Sequence, residues 1–117
     1  MKYRTSALIF AISTGIAFSS PAVADKIYTP AQLRSMAQSG NYPKQGSPST
    51  QTQYMDYSAC VSKMLAIVSS VQAEYPTSTI ISTNIARIEK VWTNDAAMTF
   101  SCSAPDGKLV ITTAPYL

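Results

Sequence analysis

Between Tyr57 and Tyr75 the apolar positions are Tyr57, Val61, Met64, Leu65, Ile67, Val68, Val71 and Tyr75, of which 57, 61, 64, 68, 71 and 75 follow alternating steps of four and three. That rhythm places Tyr57, Val61, Met64, Val68, Val71 and Tyr75 on one face of a helix, with Cys60 and Ile67 widening the stripe. Ser62, Lys63, Ser69, Ser70, Gln72 and Glu74 occupy much of the remainder, and Pro76 prevents continuation. The pattern predicts a helix over 54–75 whose apolar stripe faces the core.

Downstream the period changes to two. Residues 77–83 are rich in β-branched side chains and predict a short strand, and 85–93 predict another, ended by the turn residues Asn94 and Asp95. On this reading Ile88 and Trp92 face the helix, while Glu89 and Val91 face away. Over 97–103, Met98, Phe100 and Cys102 share one face, and Ala97, Thr99, Ser101 and Ser103 share the other. Ala104-Pro105-Asp106-Gly107 carries a strong turn signature, and 109–114 forms the final strand. Tight turns between successive strands imply an antiparallel meander.

Upstream, Thr29-Pro30-Ala31-Gln32 is a helix start. Thr29 caps, Pro30 suits the first helical position and Gln32 completes a capping box. Gly40 is a natural stop, so a short helix is expected over 30–39. Residues 41–53 contain Pro43, Pro48 and otherwise small or polar side chains, and are expected to form a mobile loop. The resulting fold class is α+β: a short N-terminal helix, then one long amphipathic helix packed on a three- to four-stranded antiparallel sheet.

The start of the chain adds a compartment. Lys2 and Arg4 precede a short apolar run, and Pro21-Ala22-Val23-Ala24 offers small residues at the −1 and −3 positions of a signal-peptidase site. Residues 1–24 are therefore expected to be a cleaved signal peptide. The run is about 12 residues long, and a helical span needs about 20. Residues 25–53 form an arm with a short helix and loop, and 54–117 form the helix-and-sheet core. A periplasmic or secreted location follows, with no stable membrane insertion after cleavage.

Without the signal the chain carries seven Lys or Arg against six Asp or Glu, a net charge of +1. The basic residues are scattered, and a nucleic-acid partner calls for a basic patch or stripe, so none is expected. Cys60 lies on the helical stripe and Cys102 on the Met98–Phe100 strand face, so both point into one helix–sheet interface. A Cys60–Cys102 disulfide is the expectation, and it suits an oxidising compartment.

The chain contains no histidine. That removes the commonest general base, the Ser-His-Asp and Cys-His nucleophile systems and the commonest metal ligand. Two cysteines fall short of an all-cysteine zinc site. Asp56 suits a helix cap, Asp95 and Asp106 suit turns, and Glu74 and Glu89 look like solvated charges. No catalytic, metal-binding or cofactor-binding residue is assigned, and no cofactor is expected. The leading function class is a non-catalytic exported protein that binds another macromolecule, as an accessory subunit, inhibitor or adaptor. Candidate contacts are Tyr42 in the loop and Arg87, Glu89, Thr99, Ser101 and Thr112 on the outward sheet face. A small-ligand carrier with a methionine-lined cavity is the alternative; an enzyme of unrecognised type is a third class.

Overall fold

A computed structural model describes residues 26–117. The expected signal peptide and its expected cleavage point after Ala24 lie outside the described residues. Helix α1 spans Pro30–Ser39, strand β1 Ser49–Tyr54, helix α2 Tyr57–Val71, and strands β2 to β5 Thr77–Ser82, Ala86–Trp92, Ala96–Ser103 and Lys108–Pro115.

Both helices begin where their capping chemistry lies. The backbone N–H of Gln32 donates to Thr29 Oγ1 at 3.1 Å, and that of Thr29 donates to Gln32 Oε1 at 2.8 Å, a reciprocal capping box. Helix α1 stops at Gly40, whose φ of 76° is left-handed, and the Asn41 N–H returns to the Met36 carbonyl at 3.0 Å. At α2, Asp56 Oδ1 accepts from the Ala59 N–H at 2.8 Å.

Helix α2 has 15 residues and is shorter than its periodicity predicts. Gln53 and Tyr54 are held in β1, opposite Leu109 and Lys108, so the helix cannot begin before the Asp56 cap. It ends at Val71, ahead of a turn in which the Tyr75 N–H bonds to the Val71 carbonyl.

The sheet has five antiparallel strands in the order β1-β5-β4-β3-β2. Strands β2 to β5 form the expected meander. The extra strand is β1, formed by residues expected to lie in a loop, and it pairs with β5 in unbroken register from Ser49–Thr113 to Tyr54–Lys108. The segment before it is also anchored: the Gly46 N–H bonds to the Pro115 carbonyl at 2.7 Å, and the Leu117 N–H to the Lys44 carbonyl at 2.9 Å.

Register sorts the side chains onto two faces. Arg87, Glu89 and Val91 pair with Cys102, Phe100 and Met98, so these residues share one face. Helix α2 covers it. Cys60, Met64 and Val68 meet Val91, Phe100, Cys102 and Leu109 in a core whose members are at most 5 % exposed. Apolar burial of this kind is the main stabilising term of the fold. The predicted bridge is present: Cys60 and Cys102 are disulfide-bonded, with Cα atoms 5.9 Å apart.

The parity of β3 is opposite to expectation. Val91 and Glu89 face α2, while Ile88 and Trp92 face away from it. Trp92 is nevertheless buried, because α1 packs on that second face at one end of the sheet. Leu33, Trp92, Ala97 and Tyr116 form a second core, flanked by Tyr28 and Tyr75. Tyr42 stacks on Trp92 with ring centroids 4.1 Å apart, and Lys90 Nζ lies 5.3 Å from the same ring.

Tyr116 closes this second core. Its hydroxyl lies 2.7 Å from the Thr93 carbonyl and 2.9 Å from that of Ala96, to which it donates. Burial pushes its pKa well above 10.0, and the nearby carboxylate of Asp95 pushes it the same way. The neutral phenol is thus favoured in the folded state, so this contribution is whole below the unfolded pKa near 10 and is lost as pH rises beyond it. A Tyr116→Phe variant should be less stable by about 1 kcal/mol at pH 7. Its alkaline unfolding should also lack part of the loss of stability above about pH 10 expected of the parent. Urea titrations at pH 7 and 11 read both effects; equal alkaline sensitivity in the two proteins would count against the assignment.

Candidate interaction face on the outer side of the sheet

The face turned away from α2 divides into rows that cross the strands. At the α1 end, Trp92, Ala97 and Ala114 are buried. The next row is Ser78, Lys90, Thr99, Thr112 and Thr50, followed by Ile81, Ile88, Ser101, Val110 and Thr52. The last row contains Ala86, Ser103, Lys108 and Tyr54. No helix covers these last three rows.

This open area has a distinct chemistry. Tyr54 is 80 % exposed, and Ile81 is 39 % exposed beside half-buried Ile88. Val110 stands in the same row on β5, beyond Ser101 of β4, and threonine and serine hydroxyls prevail in the row between these residues and the α1 end. The charged side chains in these rows are Lys90 and Lys108; no carboxylate stands in them. The open area thus combines a few apolar side chains with hydroxyls and two lysines.

The six sequence-predicted contacts divide. Thr99, Ser101 and Thr112 stand together on the open face as expected. Tyr42 belongs to its covered end, where it is 40 % exposed and stacked on Trp92. Arg87 and Glu89 do not lie on this face. They are on the α2 side, where Arg87 Nη2 is 2.8 Å from Glu89 Oε2, and Glu89 is only 3 % exposed. Glu89 is therefore not a solvated surface charge. Thr79 Oγ1 sits 2.9 Å from both of its carboxylate oxygens, and Arg87 Nη1 reaches Ser82 Oγ at 3.3 Å. Tyr54, Ile81 and Ile88 stand on the open face as well, and periodicity does not single them out. The signal available for Tyr54 was an aromatic ending a run of polar residues.

Three of the methionines pack in the core under α2. Met64 is fully buried in the α2 core, and Met55 and Met98 pack against it. Two surface clefts lie elsewhere. One of about 470 Å³ runs along α1 beside Tyr28, Gln32 and Met36. The other, of about 420 Å³, lies between the start of α2 and the β2–β3 turn, lined by Tyr57, Ser62, Thr83, Asn84 and Arg87. Among the described residues no group of three or more Cys, Asp or Glu side chains could hold a metal ion, and no helix is long and apolar enough to cross a membrane. No protein-family model, curated protein or solved structure matches this chain.

Proposed function

We propose that this is an exported, non-catalytic protein that docks a protein partner on the open half of its outer sheet face. The observation that carries the reading is the row of Ile81, Ile88 and Val110, broken by Ser101 between the last two, with exposed Tyr54 in the next row, on a sheet surface that α1 leaves bare. The Cys60–Cys102 bridge supports an oxidising compartment, in keeping with the leader-like start of the chain. Lys90 and Lys108 favour a partner whose contact patch is apolar with carboxylates at its rim. Tyrosine and β-branched side chains lose little conformational freedom on binding, so they suit a docking role.

The test is chemical cross-linking of the disulfide-intact protein in its native envelope or secreted fraction, identification of the adduct, and a binding titration with the purified partner. Tyr54→Ala and Ile81→Asp change exposed side chains and should each weaken binding at least tenfold. Leu65→Asp, on the solvent side of α2, should leave it unchanged. The reverse ranking would move the docking surface to α2 and overturn the proposal.

A further inference from the structure

The two edges of the sheet are built differently. Strand β2 carries a register shift between Thr79 and Ile81, an irregularity that bends an edge and disrupts its pairing. Strand β1 has none. It runs six residues, Ser-Thr-Gln-Thr-Gln-Tyr, in continuous register with β5, and every one is exposed. It contains no charge, proline or glycine, the devices that commonly protect an edge. Its outward N–H and C=O groups have no strand neighbour among the described residues. Lys63 Nζ reaches Gln53 Oε1 at 2.6 Å from the α2 side, which holds the end of the strand against the domain.

We propose that β1 pairs antiparallel with β1 of a second copy of this chain, about a two-fold axis perpendicular to the sheet, to give a continuous ten-stranded sheet. A second copy is favoured over a foreign peptide on three grounds. The strand is uncharged, so two copies meet without repulsion. Its threonines and glutamines suit pairing with their own kind across an antiparallel ladder, where Thr–Thr and amide contacts are favourable. Each chain offers one such edge and keeps the other irregular, so association stops at two copies. The contact is a strip about 20 Å long, which predicts a weak, reversible dimer with a Kd between about 10 µM and 1 mM. A perpendicular two-fold axis leaves both α2 helices on one side and merges the two open faces on the other.

Sedimentation equilibrium of the disulfide-intact chain up to about 1 mM, the weak end of that affinity range, should show a monomer–dimer equilibrium. The exchange protection of β1 amides should rise with protein concentration. Gln51 stands beside the strand midpoint, so the pairing brings the two copies of Gln51 close together. Gln51→Lys should weaken the dimer at least tenfold through like-charge repulsion, while Gln51→Ala should retain it and both variants should melt with the parent. A parent that stays monomeric, species larger than dimers, dimerisation unaffected by Gln51→Lys, or β1 protection that depends on an added extended peptide would each overturn the proposal. Gln51 lies on the α2 side of the sheet, so these variants leave the docking face intact and the two proposals fail separately.

Discussion

Removing the Cys60–Cys102 bridge will destabilise the domain by about 4 kcal/mol, the cost of restoring chain entropy to a loop that separates residues 42 positions apart. That is a large share of the roughly 5–15 kcal/mol available to a native domain. The position of the bridge makes it more than a generic staple. It joins the first turn of α2 to β4, and both half-cystines are at most 1 % exposed within the main core. Helix α2 is too short to persist alone in water, so without the bridge it holds its place by packing only. A Cys60→Ala/Cys102→Ala double variant avoids both free thiols and buried hydroxyls. Its thermal midpoint should fall by roughly 20 °C, given the shift per kcal/mol expected of a domain this size. An unchanged midpoint would show that the bridge forms in an already rigid fold and contributes little.

The second large effect concerns the polar pair beneath the edge of α2. Arg87 Nε and Nη2 both reach Glu89 Oε2, at 2.9 and 2.8 Å, while the glutamate is nearly solvent-free. Arg87→Met removes the cation and leaves a buried carboxylate with the Thr79 hydroxyl as its remaining side-chain donor. The arginine side chain keeps 25 % of its exposure, so solvent screens part of the interaction, and the expected loss is about 2–3 kcal/mol. The double variant Arg87→Met/Glu89→Leu removes both charges and should return to within about 1 kcal/mol of the parent. Thr79 is exposed, so its freed hydroxyl turns to water. Urea denaturation of the parent, the single and the double variants separates the cases. A double variant as unstable as the single one would show that the pair itself, and not the stranded charge, carries the stability.

These two sites differ in how well they could be read from the residues. Cys60 and Cys102 each sit on an unambiguous apolar stripe, one of period near 3.6 and one of period two, so their meeting follows from periodicity. Helix α1 was legible because its capping box is a short local motif, and it forms over the expected span. Strand β3 was not legible in parity. Ala-Arg-Ile-Glu-Lys-Val-Trp places apolar residues on both faces, and the charge at Glu89 argues for solvent until Arg87 and Thr79 are seen around it. Two cores on opposite faces of one sheet let Trp92 and Val91 be buried side by side, which a one-helix picture cannot accommodate. Strand β1 left no hydrophobic signal at all, since an edge strand exposed on both faces has no apolar side to alternate. The candidate face was half legible: Thr99, Ser101 and Thr112 followed from the parity of β4 and β5, whereas Ile81 and Ile88 depended on the bulge in β2 and on the parity of β3.

The pairing of β1 with β5 also sets a timetable for assembly. The first strand of the sheet takes the last as its neighbour, so Ser49–Tyr54 has no place to bind until Lys108–Pro115 has been synthesised and is free to move. The intervening hairpins form locally, but closing this pair is a long-range event and slow by nature. Tyr116, which seals the α1 core, arrives later still. The growing chain thus leaves β1 and the α1 core without their partners until residues 108–116 are available.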